Sequence, residues 1–164
     1  MKVSIVQARL IWENREMNLK HFSQLIDKIG KTDLIVLPEM FTTGFTMNPE
    51  QHAEHKGTQT LQRMKRIAKA KNCCICGSVS VEEKGKYYNR LFYVHADGSN
   101  QSYDKHHLFR LAKEDEHYTA GKKKLILNQK NWKICPLICY DLRFPVFSRN
   151  RFEKKKKGGA SWTY

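Results

Sequence analysis

The stretch "DLIVLPE", residues 33–39, decides the fold class. Four consecutive apolar residues run into a proline and then a glutamate. A run this short and this continuous reads as a strand buried on both faces, which requires a sheet covered by helices. Upstream, "KVSIVQA" alternates enough for a strand. Leu19, Phe22, Ile26 and Ile29 then fall at helical spacing, with Gly30 as the stop signal. Downstream, residues 39–56 read as a loop, and Thr58 to Lys71 as a second helix with Leu61, Met64 and Ile67 or Ala68 on one face. "CCICGSVSV", "YYNRLFYVHA" and "SNQSYDK" read as strands, joined by a turn at "KGK" and by the hairpin signal Asp97-Gly98.

Residues 105–121 read as irregular and polar. "KLILNQKNWKICPLIC" reads as a hairpin whose second strand contains Cys135 and stops at Cys139, and "DLRFPVFSRN" as the start of a helix. Helices between the early strands imply a parallel core with right-handed crossovers; the hairpins imply antiparallel pairs. The expected class is α/β with a mixed sheet. Two full helices are few for a sheet with buried runs, so one face stays open or something else packs on it.

Composition narrows the function classes. Of the 164 residues, 40% are hydrophobic, which excludes an intrinsically disordered chain and suits one domain. No apolar run reaches membrane-spanning length, and Met1-Lys2 leads directly into "VSIVQA" with no signal-peptide pattern. Five cysteines, an odd number, fit a reducing compartment, so the expected location is cytoplasmic. The net charge is +14, but residues 149–164 hold six Lys or Arg against one Glu, leaving +9 on the preceding 148 residues. Lys65, Arg66, Lys69 and Lys71 read as one solvated helix face, and Lys122 to Lys124 as a turn. Without a concentrated basic stripe, the chain is expected to bind no nucleic acid.

Reactive groups of open α/β sheets collect beyond the carboxyl ends of strands. Glu39 follows "DLIVLP", Lys105 follows "NQSYD" and Cys139 follows "KICPLI". An acid or base, a cation and a thiol are the groups required for acyl transfer through a thioester. Each has a plainer alternative: a buried small apolar thiol, a solvated loop carboxylate and a surface charge. Their shared strand-end position favours chemistry. Cys73 and Cys76 form a C-x-x-C, but residues three apart on a strand point to opposite faces and no turn residue lies between them, which disfavours zinc. His106, His107 and His117 read as hydrogen-bonding or surface residues rather than metal ligands.

"LIVLPEMFTTGF", "YDKHHLFRLAKEDEHYTAG" and "ICYDLRFPVF" resemble the three catalytic blocks of the nitrilase superfamily of carbon–nitrogen hydrolases, most closely its omega-amidase-like branch. The resemblance runs from residue 1 to about 149 and implies hydrolysis of the terminal amide of a small 2-oxo acid such as 2-oxoglutaramate. It implies Glu39 as general base, Lys105 as the cation at the tetrahedral intermediate and Cys139 as nucleophile. The Tyr140 backbone N–H is expected to be the companion oxyanion donor. A second glutamate is implied as a support, with Glu114 favoured and Glu116 the alternative. Neither metal nor organic cofactor is implied. Phe41, Phe45 and Met47 read as pocket wall or as core, and Arg143 as a structural partner of Asp141 or a neighbouring acid, or else of a substrate carboxylate.

The implied fold is a four-layer α-β-β-α sandwich assembled into dimers. Family members continue past the cysteine block, so residues 1–149 read as the N-terminal part of a truncated domain. Residues 150–164, with four consecutive lysines, read as an aberrant, disordered basic tail. The alternative function is a non-catalytic binding or assembly fragment on the same fold.

Overall fold

The computed structural model describes residues 1–149, 151–154 and 160–163, the last two segments by their backbone alone. In chain order the elements are β1 (Val3–Ile5), α1 (Arg15–Asp27), β2 (Leu34–Val36), α2 (Pro49–His52), β3 (Glu54–His55), α3 (Thr58–Lys71), β4 (Cys74–Glu83), β5 (Lys86–Val94) and β6 (Asn100–Asp104). There follow α4 (Glu114–His117), β7 (Leu127–Gln129), β8 (Trp132–Ile134), α5 (Pro145–Ser148), β9 (Arg151–Lys154) and β10 (Ala160–Thr163). Single 3₁₀ turns occupy Arg110–Ala112 and Cys139–Arg143.

The main sheet is mixed, as expected, in the order β1-β2-β4-β5-β6. β1, β2 and β4 are parallel; β4, β5 and β6 are antiparallel neighbours. β4 and β6 therefore run in the same direction as β2, and the carboxyl ends of all three lie at one end of the sheet. The β4–β5 turn uses left-handed backbone at Lys84 (φ 54°) and Gly85 (φ 69°), the conformation that matches strand twist in two-residue hairpins.

Alternation along β4 builds two cores. Ile75, Val79 and Val81 pack with Leu19, Phe22 and Ile26 of α1 and Met64 and Ala68 of α3. Burying a side chain such as Phe22 contributes about 1.5–3 kcal/mol. Cys74 and Cys76 point to the opposite face, where they pack with Leu91, Tyr93, Tyr103, Leu127 and Ile138. The shortage of helices is met there by the β7–β8 hairpin and the chain beyond it. Cys73 and Cys76 lie in different cores, as their spacing requires, and burial pushes the Cys76 thiol up to about 12.

Several boundaries differ from the sequence reading. α1 stops at Asp27, and Gly30 has no capping role, because Lys28 already returns its N–H to Leu25 and Ile26. The expected loop at 39–56 contains α2 and β3, the latter paired parallel to the far end of β4. β7 and β8 form a separate two-stranded sheet that ends at Ile134, so Cys135 lies beyond the strand rather than within it. Pro136, lacking an N–H, does not extend the ladder. The helix after Cys139 is broken into a 3₁₀ turn and the short α5, with Phe144 (ψ 75°) between them; a residue before proline disfavours helical backbone. β9 and β10 pair antiparallel; Asn150, residues 155–159 and Tyr164, on which the expectation of a disordered tail also falls, lie outside the described residues. No helix among the described residues is long and apolar enough to cross a membrane.

Candidate active site

Glu39 leaves the carboxyl end of β2 on a backbone tied to β4. Leu37 donates to the Cys76 carbonyl at 2.8 Å, Met40 to Ser78 Oγ at 2.9 Å and Phe41 to the Ser78 carbonyl at 3.1 Å. Gly77 makes the approach possible, since a Cβ there would sit 2.8 Å from Leu37 Cβ. Lys105 leaves the carboxyl end of β6 at the same end of the sheet, and its N–H bonds the Asn89 carbonyl at 2.9 Å. Both strand-end placements are as the sequence implied.

The Lys105 ammonium lies between two carboxylates. It donates to Glu39 Oε1 at 2.8 Å and to Glu114 Oε2 and Oε1 at 2.8 and 3.1 Å. Lys105 and Glu114 are fully buried, whereas the Glu39 side chain keeps 19% exposure. Burial works against the charge of Lys105, but Glu39 and Glu114 more than offset it and hold its pKa above the ordinary lysine value. Glu114, on α4, also accepts the Phe109 N–H at 2.7 Å. Glu116 points elsewhere: it is exposed, 3.7 Å from Lys113. Of the two candidate second glutamates, only Glu114 is brought to Lys105.

Cys139 reaches this cluster from outside the main sheet. It opens the 3₁₀ turn with φ 41°, a left-handed conformation uncommon for a residue with a side chain and frequent at functional positions. Its thiol and Glu39 share the lining of one small cavity. Partial burial, followed by the charge and hydrogen bond of Glu39, raises its pKa above the ordinary thiol value, with Lys105 opposing. Tyr140 follows at the start of the turn, where N–H groups have no intrahelical partner. A small cavity of about 90 Å³ includes Glu39, Ser78, Ile138 and Cys139 in its lining. A larger, open one of about 640 Å³ is bounded by Phe109, Leu111, Cys139, Tyr140, Leu142 and Arg143.

The turn that carries Cys139 is anchored by Asp141, which is fully buried. Asp141 accepts from Tyr103 Oη at 2.7 Å, from the Ile138 N–H at 3.1 Å, and from the N–H and Nδ1 of His107, each at 2.9 Å. The expected Arg143–Asp141 pair is therefore not formed: these donors occupy the carboxylate, and Arg143 faces the open cavity. His106 and His107 have the hydrogen-bonding roles expected of them, and stack on Phe147 and Phe144 at 4.5 and 3.8 Å between ring centroids. The loop aromatics divide. Phe41 joins the core, the Phe45 ring centroid lies 5.0 Å from Lys105 Nζ, and Met47 is half-buried.

Sequence reasoning missed Asn89, and for Asp141 it weighed only a pairing with Arg143. Asn89 is buried on β5 and its Nδ2 donates to Glu39 Oε1 at 2.8 Å and to Glu114 Oε1 at 3.2 Å. The available signal was an amide among apolar residues on the same strand face as Leu91 and Tyr93.

The family model of the carbon–nitrogen hydrolases matches residues 2–155. The chain belongs to that family. Among carbon–nitrogen hydrolases it is 42% identical over 151 residues to omega-amidase YafV of Yersinia enterocolitica, covering 92% of this chain and 59% of that protein. It is 31% identical over 156 residues to the 2-oxoglutaramate amidase of Bacillus subtilis, covering 93% and 60%. Among solved structures, XC1258 of Xanthomonas campestris is a CN-hydrolase superfamily protein with an arsenic adduct in its active site. It superposes with a TM-score of 0.89 at 38% identity, over 97% of this chain and 60% of that one. The chain thus spans about 60% of the length of the relatives it matches.

Proposed function

We propose that this chain carries the catalytic groups of an amidase that converts the terminal carboxamide of a small 2-oxo acid, of the 2-oxoglutaramate kind, to the acid and ammonia through a thioester on Cys139. The observation that carries this reading is Glu39 bonded to a buried ammonium at 2.8 Å and sharing the lining of one small cavity with the Cys139 thiol. The names of the relatives support the substrate class.

A thiol whose pKa is raised needs a base at neutral pH. Glu39 accepts the Cys139 proton as Sγ attacks the amide carbon. The charge that develops on the carbonyl oxygen is met by the Lys105 ammonium and the Tyr140 N–H; one preorganised donor of this kind is worth about 3–4 kcal/mol of barrier. Glu39 returns the proton to the departing nitrogen, and ammonia leaves a thioester. Water, deprotonated by the same carboxylate, attacks the thioester carbon; the acid departs and the thiol recovers its proton. Every step uses groups of the chain and water. Glu114 holds Lys105 in place rather than touching the substrate. Dimerisation through the Cys139 region and a cytoplasmic setting belong to the same reading; the five cysteines are all free.

The test is ammonia release from 2-oxoglutaramate together with intact-mass detection of an acyl adduct, both abolished in Cys139→Ala. A folded chain that forms neither ammonia nor adduct overturns the proposal. Exposed Leu111, Leu142 and Val146 near the nucleophile favour a second reading, a binding or assembly module without turnover. Self-association on size exclusion with no thiol-dependent hydrolysis distinguishes it.

A further inference from the structure

Glu39 has two oxygens, and the structure treats them differently. Oε1 receives both Lys105 Nζ and Asn89 Nδ2, each at 2.8 Å. The same Asn89 amide reaches Glu114 Oε1 at 3.2 Å, so one NH₂ group spans the two carboxylates that flank the lysine. The Asn89 carbonyl accepts the Lys105 backbone N–H at 2.9 Å, which places a third contact of the cluster on this residue.

The orientation of the amide follows from charge. Turning Oδ1 toward two carboxylates would set acceptor against acceptors, so Nδ2 must face them. The consequence is that Oδ1 is buried with no hydrogen-bond partner among the described residues.

We propose that Asn89 is a positioning residue for the amidase reaction: it anchors Glu39 Oε1 so that Oε2 alone serves as the working base toward Cys139 and the substrate nitrogen. This assignment rests on the catalytic reading of Glu39 given above. Lys105 alone does not fix the carboxylate, because one donor leaves it free to pivot about the Nζ–Oε1 hydrogen bond. A second donor from β5, a central strand, removes that freedom.

The experiment has two arms. In the full chain labelled with ¹⁵N-asparagine, the side-chain amide signal of Asn89 is assigned by its loss in Asn89→Ala. Glu39→Gln is expected to move that signal, because the amide loses a charged acceptor; an unmoved signal overturns the assignment whether or not the chain turns over amides. In the kinetic arm, Asn89→Ala is expected to lower kcat about 10–100-fold with KM nearly unchanged. A lower melting temperature with unchanged kcat reduces Asn89 to a structural residue and overturns the proposal. Absence of thiol-dependent turnover in the parent chain, with the amide signal moved as expected, overturns the catalytic reading and not the anchoring contact.

Discussion

Lys105 and Glu114 form a buried pair in which the ammonium bonds both oxygens of one carboxylate, at 2.8 and 3.1 Å. Removing the carboxylate leaves an ammonium with Glu39 as its one charged partner among the described residues. Glu114→Ala is expected to cost about 3–5 kcal/mol of stability, measured by urea denaturation. Glu116→Ala, at an exposed position, should stay within about 0.5 kcal/mol of the parent. Equal losses for the two variants would show that Glu114 does not hold Lys105.

Cys139 provides a pH test with a defined sign. Its thiol is raised by burial first and by Glu39 next. Alkylation of Cys139 by iodoacetamide, followed by intact mass, should therefore rise with pH with a midpoint above that of a free cysteine, about 8.5. Glu39→Gln removes the neighbouring negative charge and leaves Lys105, so the midpoint moves to lower pH. Labelling at neutral pH accelerates while amide hydrolysis is lost. A midpoint that stays in place, or rises, contradicts the contact between the two side chains.

Asp141 is expected to govern the placement of the nucleophile. Asp141→Ala strands the Tyr103 hydroxyl, two N–H groups and the His107 ring, and should destabilise the chain by about 3 kcal/mol or more. Asp141→Asn keeps the volume and one acceptor oxygen, so it should recover part of the stability but leave hydrolysis impaired. Differential scanning calorimetry and ammonia release read the two effects separately.

Arg143 faces the cavity that opens on Cys139, free of the Asp141 pair expected of it. In the amidase reading it is the cation available to a substrate carboxylate. Arg143→Ala should raise KM about tenfold or more for amides that carry a carboxylate, and leave neutral short amides nearly unaffected. A parallel loss on both substrate types would assign Arg143 to the turn rather than to recognition.

The hydrophobic pattern made the class of sheet legible. "LIVL", the turn at "KGK", Asp97-Gly98 and the apolar stripes of α1 and α3 all depend on local backbone and on period, which a single sequence displays. Glu39 was legible for the same reason, as the polar residue that ends an apolar run, and Lys105 as the residue after the strand that the Asp97-Gly98 turn signal leads into. Element boundaries near Pro136 and Pro145 were less so. There the backbone follows what it packs on: Phe144 and Phe147 are set by the histidine rings they stack against.

Taken alone, the sequence determined the α/β class, the mixed sheet and the chemical types of the three reactive groups. It determined the opposite facing of Cys73 and Cys76 as well, because strand geometry is a two-residue repeat. Tertiary structure decided which second glutamate meets Lys105, that Asp141 binds His107 and Tyr103 instead of Arg143, and that Asn89 bridges Glu39 and Glu114. These are contacts between residues far apart along the chain, or between near neighbours whose side chains diverge on a short helix. Their partners are fixed by the meeting of strand ends and by the exclusion of water there, which no local pattern encodes.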